Sequence, residues 1–170
     1  MRSIGSLTTV FFIILLLGCS KSSKLAALLP DTVNGWEAEG GALKSDVPGV
    51  GHSAARSYVD PGFSSESGIE RIKVQILVAE KGADQKRLEE MSIDTEGVFK
   101  EKREIGYGFP AYQSLSQANG THSLEILPKS GTFVSIVAYG GWASMGSENE
   151  RGAFASFVEK IDLKKIAAIE

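Results

Sequence analysis

The stretch TFVSIVAY, from Thr132 to Tyr139, is almost wholly apolar and rich in residues that favour β-strands. A continuous run of this kind predicts a central strand that is covered on both faces of a sheet. From Ile72 to Val78, apolar residues instead alternate with mostly polar ones, which predicts a strand with one apolar face. Asn119-Gly120 separates two further β-prone segments and predicts a two-residue hairpin turn between them.

The rest of the chain adds helices and shorter strands to this sheet. Ser147 to Glu150 fits a helix capping box, and an apolar stripe follows it, so a C-terminal helix is predicted. Further helices are predicted from Ala83 to Ile93 and from Lys24 to Leu29, where Pro30 stops the helix. A loop is predicted from Lys44 to His52. The other predicted elements are the strands Trp36–Leu43, Ser53–Asp60, Gly97–Ile105, Pro110–Ala118 and Thr121–Leu127 and a final turn or helix, Asp162–Ile169.

These elements predict an α+β fold: a mostly antiparallel β-meander with one inserted helix and a C-terminal helix packed on it. In element order alone, the chain also resembles the αβα sandwich of the photosynthetic P-subunit type (PsbP-like), which is the alternative architecture. No internal repeat or low-complexity segment divides the sequence, so a single globular domain is predicted from residue 25 to residue 170.

Composition excludes several classes of function. The 170 residues carry 18 Lys+Arg against 21 Asp+Glu, a formal net charge of -3, which gives no electrostatic footprint for nucleic-acid binding. The chain has one cysteine, so an intramolecular disulfide and a multi-cysteine metal site are both excluded.

The N-terminus carries the most specific signal. Arg2 precedes an apolar run from Leu7 to Leu17, and this run is far shorter than the roughly 20 residues that cross a bilayer as a helix. The run ends in Leu16-Leu17-Gly18-Cys19, and polar residues follow at once. These four residues closely resemble the lipobox of bacterial lipoproteins.

The resemblance implies how the chain is processed and where it resides. It implies diacylglyceryl transfer to the Cys19 thiol, cleavage between Gly18 and Cys19, and attachment of palmitate-type chains. Residues 1–18 would be the signal peptide and residues 19–24 the lipidated N-terminus and a short tether. The expected location is the bacterial cell envelope. Ser20, where no Asp stands, resembles the signal for the periplasmic face of the outer membrane in enterobacteria.

A search for catalytic chemistry finds no recognised site. His52 and His122 are the two histidines that could act as a general base, and neither lies in a known motif. The segment from Gly141 to Gly146 is similar to a nucleophile elbow, but that pattern needs glycine where Trp142 stands. Metal-binding and phosphate-loop spacings are absent. No catalytic residue, metal or cofactor is therefore predicted.

Two glycine-rich segments with aromatic residues are candidate recognition loops, from Gly106 to Pro110 and from Tyr139 to Gly146. Glycine permits close backbone approach, and exposed aromatic and methionine side chains often anchor binding sites. The alternative is that these side chains fold back onto the core. The candidate residues are Tyr107, Phe109, Tyr139, Trp142 and Met145.

Three hypotheses of function follow from the sequence. The first is a non-enzymatic envelope lipoprotein, bound to the membrane through its N-terminal lipid, that binds an envelope protein or assists assembly. The second is an envelope hydrolase or transferase, which requires a cleft with His52 or His122 beside Ser144, Asp60 or a glutamate. The third is a lipoprotein that binds a small ligand between the two aromatic loops.

Overall fold

An open antiparallel sheet dominates the part of the chain that the computed structural model describes, which is residues 20–62, 68–83, 99–105, 108–116, 121–140 and 148–169. Eight strands follow one another in the order β1-β2-β4-β5-β9-β8-β7-β6, and β3 pairs with β4 on the edge that β2 also uses. The strands are β1 (Thr32–Val33), β2 (Trp36–Ala38), β3 (Leu43–Val47), β4 (Gly51–Val59), β5 (Ile69–Ala79), β6 (Phe99–Ile105), β7 (Phe109–Ser116), β8 (Thr121–Lys129) and β9 (Thr132–Gly140).

The helices of the described residues are α1 (Lys21–Ala26), α2 (Glu148–Lys160) and α3 (Leu163–Ala167). Together with the sheet they make an α+β, mostly-β fold, so the predicted fold class is confirmed. The helix predicted from Ala83 to Ile93 lies outside the described residues apart from its first position. The αβα alternative therefore stays a prediction.

Strand β9 lies at the centre of the sheet, as its sequence predicts. It pairs with β5 on one side, where Val134 lies opposite Ile76, and with β8 on the other, where Ile136 lies opposite Leu124. Successive residues of β9 point to opposite faces, and both Ser135 and Ile136 are buried. Burial on both faces explains why this strand is apolar at nearly every position.

One face of the sheet carries the helices and the main core. The apolar stripe of α2 packs there, and Phe157 meets the ring of Tyr58 edge to face at 4.8 Å between centroids. Helices α1 and α3 add buried side chains to the same cluster. Its largest fully buried members include Leu25, Val33, Tyr58, Ile72, Val74, Ile76, Ile126, Ile136, Phe157 and Ile166.

Two of the boundaries that differ from the sequence predictions lie between β2 and β4. The predicted strand from Trp36 to Leu43 is divided into β2 and β3, because the chain turns at Gly40, whose φ of 77° is left-handed. The predicted loop from Lys44 to His52 contains most of β3 and the start of β4. The predicted pairing of the strands on either side of Asn119-Gly120 is confirmed, since β7 and β8 are antiparallel with Ser116 opposite Thr121. The two-residue turn itself lies outside the described residues and stays a prediction.

Candidate functional site

The candidate site is built around the first turn of α1, which begins two residues after Cys19. Ser20 is the N-cap of this helix, and its Oγ accepts a hydrogen bond from the backbone N–H of Ser23 at 3.2 Å. Ser22 fixes the helix to the sheet: its Oγ donates to Oδ2 of Asp46 at 2.6 Å, and its backbone N–H donates to Oδ1 at 3.2 Å. Helix α1 therefore has an anchored N-terminus.

His52 of β4 connects Asp46 on the neighbouring strand β3 to Glu80 just after β5. The β3–β4 register places Asp46 opposite His52, and the two side chains meet at 2.7 Å between Oδ1 and Nδ1. On its other side, Nε2 of His52 lies 3.4 Å from Oε1 of Glu80, just after β5. Oε2 of Glu80 accepts a hydrogen bond from the backbone N–H of Gly49 at 2.9 Å. We call these four side chains, Ser22, Asp46, His52 and Glu80, the anchor network.

Hydrogen bonding favours the charged form of Asp46. The Ser22 hydroxyl bond is the largest cause and the His52 bond the next, and together they lower the pKa of Asp46 from 3.8 to about 2. Asp46 is therefore a carboxylate at neutral pH, with Ser22 and His52 held against it.

The anchor network lacks the geometry of a serine hydrolase triad. In a triad the serine hydroxyl contacts the histidine, which takes its proton. Here Ser22 donates to Asp46 instead, and the contact of His52 Nε2 in the described part of the chain is with the Glu80 carboxylate. Within the described residues, no group of three or more His, Cys, Asp and Glu side chains could hold a metal ion.

A cleft of about 330 Å³ opens beside the network, on the face of the sheet that carries the helices. Three neighbouring residues on adjacent strands line it: His52 of β4 lies opposite Val78 of β5, which lies opposite Thr132 of β9. Lys21 of α1 lines it, as does Ile169 beyond α3, whose carbonyl accepts a hydrogen bond from Nζ of Lys129. The cleft therefore adjoins the N-terminus of α1.

The described members of the two aromatic loops lie far apart. Phe109 begins β7 at the end of the sheet where β8 ends and β9 begins, and it packs against the main core. Tyr139 lies at the other end, opposite Thr121, and its position in β9 places it on the other face from Ala138. Burial raises the pKa of Tyr139. Phe109 and Tyr139 therefore do not share a site.

The remaining predicted site residues fall into two groups. His122 is on the helix-covered face, where its ring lies 5.4 Å from that of Phe154, and Asp60 accepts a hydrogen bond from the backbone N–H of Gly62. Neither is part of the cleft. The others lie outside the described residues: Gly18, Cys19, Tyr107, Trp142, Ser144 and Met145.

Comparison of the chain with protein-family models, with curated proteins and with solved structures gave no match. In the described residues, no helix has the length and apolar character that crossing a membrane requires.

The sequence indicates His52, and a glutamate as one possible neighbour in a cleft, but it identifies neither Glu80 nor Asp46 as its partner. Asp46 was placed in a loop because Lys44-Ser45-Asp46 has no apolar alternation, which is the signal for a half-buried strand. Strand β3 lies on the sheet edge with four of its five residues exposed, so nothing selects apolar residues there. The only available signal was the short spacing between Asp46 and His52 across a turn rich in glycine and proline.

Proposed function

We propose that this chain is a lipid-anchored lipoprotein of the bacterial cell envelope, whose domain binds or helps to assemble another envelope component without catalysing a reaction. The observation that carries the proposal is the lipobox-like sequence Leu16-Leu17-Gly18-Cys19, followed within two residues by a helix that is fixed to the domain.

The anchored helix supports a specific geometry for the lipoprotein. Four or five extended residues between the lipid and the domain would span roughly 15 Å. With Ser20 as N-cap and Ser22 bound to Asp46, only Cys19 and Ser20 precede the helix, and they span roughly 7 Å. The domain of an acylated chain would therefore lie against the bilayer surface.

The chain just after α1 is held as well. Nη1 of Arg56 donates to the carbonyl oxygens of Leu29 at 3.1 Å and Pro30 at 3.0 Å, and it pairs with the carboxylate of Asp31. The hydroxyl of Tyr58 donates to the Pro30 carbonyl at 2.8 Å. Because the segment is fixed at both ends, α1 acts as a short rigid link rather than a flexible tether.

Labelling with a palmitate analogue in a bacterial host tests the proposal. We expect label on the wild-type chain, and a mature mass that lacks residues 1–18 and includes acyl groups. Cys19→Ala should remove both the label and the cleavage, because the thiol that is alkylated is gone. An intact, unlabelled wild-type chain with a free Cys19 would contradict the proposal.

Two substitutions at Ser20 separate sorting from folding. Ser20→Asp keeps a good N-cap but introduces the residue that resembles inner-membrane retention in enterobacteria, so we expect acylated protein in the inner membrane. Ser20→Ala removes the cap and costs about 1 kcal/mol of helix stability, yet should leave outer-membrane sorting unchanged. Membrane fractionation reads the first effect and hydrogen exchange in α1 the second. Identical fractionation of both variants in an enterobacterial host would contradict the sorting assignment.

An envelope hydrolase or transferase is the second candidate, because His52 lies in a cleft with Asp46 at its Nδ1 and Glu80 at its Nε2. A carboxylate at Nδ1 orients a histidine that acts as a base. The position that a base would offer to substrate or water is, however, taken by the Glu80 carboxylate. Hydrolysis of ester or phosphoester substrates that disappears in His52→Gln but persists in His122→Gln would favour this candidate.

A further inference from the structure

We propose that the cleft beside the anchor network binds a phosphate-bearing anionic group, and that the anionic headgroups of the membrane supply it. The proposal rests on the proposed function for the source of the ligand, because lipid anchoring at Cys19 is what would place the cleft at the bilayer. The cleft itself is defined by the described residues alone.

Charge is the first argument. Three lysines line the cleft, Lys21, Lys81 and Lys129, and Glu80 is the carboxylate among the lining residues. The chain as a whole has a formal net charge of -3, so this cluster opposes the overall charge. Lys21 and Lys81 are exposed, and in the described part of the chain neither has a carboxylate within 4.0 Å. Lysine ammonium groups bind phosphate as point charges.

A buried hydroxyl is the second and independent argument. Thr132 lines the cleft and is fully buried, yet its Oγ1 has no hydrogen-bond partner among the described residues. Buried hydroxyls are almost always bonded, and an unpaired one is unfavourable. An oxygen of a bound ligand would complete this bond, which the described residues do not supply.

The walls of the cleft fit an ester of phosphate better than a free ion. Val78, Ala79 and Ile169 add apolar surface next to the lysines. A volume of about 330 Å³ also lies within the usual range of small-molecule pockets. A headgroup with its glycerol would contact both the lysines and this apolar surface.

Position is the third argument. Lys21 lines the cleft in the first turn of α1 and is two residues from Cys19 in the sequence, so a lipid on Cys19 would be attached close to the cleft. Near an anionic membrane surface, each basic side chain contributes to attraction within about a Debye length. The cleft would therefore meet a high local concentration of headgroups.

Calorimetric titration of the full-length chain in a non-ionic detergent tests the proposal. The probes are dihexanoyl phosphatidylglycerol, dihexanoyl phosphatidylcholine and inorganic phosphate. We expect saturable binding of the phosphatidylglycerol and weaker binding of the other two. The double variant Lys21→Gln/Lys81→Gln should bind it roughly fivefold more weakly, because two screened charge contacts are lost. Lys73→Gln is the matched control, since Lys73 points to the opposite face of β5 from Val78 and should bind like the wild type.

Thr132→Val tests the site a second way, because ligand binding and thermal stability should change in opposite directions. It removes the hydroxyl but keeps the shape, so binding should weaken while the ligand-free thermal midpoint rises by about 2 °C. A structural role for the hydroxyl alone would lower the midpoint and leave binding unchanged, and that result would count against the site.

The remaining outcomes are also decisive. Equal affinity of the wild type and the double lysine variant overturns the cleft as the binding site. Inorganic phosphate that binds as tightly as phosphatidylglycerol overturns the membrane lipid as the source. The assay does not depend on acylation, so intact binding in a chain that takes up no palmitate label overturns the proposed function and leaves the phosphate site in place.

Discussion

Helices α1 and α2 pack against the same face of the sheet and both bury apolar side chains there, but they differ in how much their polar contacts add. α2 has 13 residues and is held by apolar contacts, with Phe157 buried against Tyr58 and near Trp36. α1 has six residues; it buries Leu25 in the same core, and it adds directional polar contacts through Ser22 in the helix and through Arg56 to the chain just after it. A six-residue helix is too short to be stable alone, so tertiary contacts must fix it.

The two kinds of contact affect different properties: the free energy of unfolding, and the position of the N-terminal residues on the domain. Apolar burial is proportional to area and non-directional, so α2 contributes mainly to the free energy of unfolding. Hydrogen bonds between named atoms set distance and angle, so the contacts of α1 determine where the first residues after Cys19 leave the domain.

The largest expected effect comes from removing the aromatic contact of α2. Phe157→Ala leaves a cavity beside Tyr58 and should lower the free energy of unfolding by about 3–5 kcal/mol. Urea denaturation measures the loss. Lys160→Ala, at an exposed position of the same helix, should change it by less than about 0.5 kcal/mol. Similar effects of the two substitutions would contradict the apolar account of α2.

A smaller and local effect is expected at α1. Ser22→Ala removes the hydroxyl bond to Asp46 and should cost roughly 1 kcal/mol, because the partly exposed carboxylate can take a water in its place. Amide hydrogen exchange should accelerate in residues 21–26 and stay unchanged in α2. Uniform acceleration in both helices would show that α1 is not a separate unit of stability.

The smallest effect is a pH dependence of the same contact. The pKa of Asp46 is about 2 in the folded protein, below its usual 3.8, so its contribution is complete above about pH 4 and is lost as pH falls toward 2. NMR signals of α1 should therefore shift between pH 4 and pH 2. Asp46→Asn should remove this transition from α1, whereas an unchanged transition would point to another group. The pKa of Asp162 is also lowered, chiefly by the backbone N–H of Lys165. Asp162 lies beside α3, so its titration should affect the signals of α3 and not those of α1.

The elements that bury apolar side chains are predicted well by the sequence. Strand β5 and the buried stripe of α2 carry clear hydrophobic periods, because burial on one face selects apolar residues at fixed spacing, and β9 is an almost continuous apolar run because both its faces are covered. The start of α1 was predicted three residues late, at Lys24, since Ser22 and Ser23 are poor helix formers in isolation.

The anchor network is not predicted, because its side chains are far apart in the sequence and meet only in the folded sheet. Ser22 and Asp46 are 24 residues apart, and Glu80 reaches His52 only because β3, β4 and β5 pair in one register. Polar residues carry no periodic signal that reveals such pairing. Of the anchor network, the sequence indicates only His52 by number, as a candidate base that could lie beside a glutamate, and the structure places it between Asp46 and Glu80.

Because β5 is long, the two ends of the sheet lie far apart and would have different surroundings. It runs through 11 residues from Ile69 to Ala79, a rise of about 35 Å. In an acylated chain the end of the sheet that carries Ala79 of β5 and Phe109 of β7 would face the lipid headgroups. The opposite end, where Gly140 lies beside Ile69, would stand up to about 35 Å into the aqueous compartment. A soluble partner that approaches from that compartment would meet the Tyr139 end first.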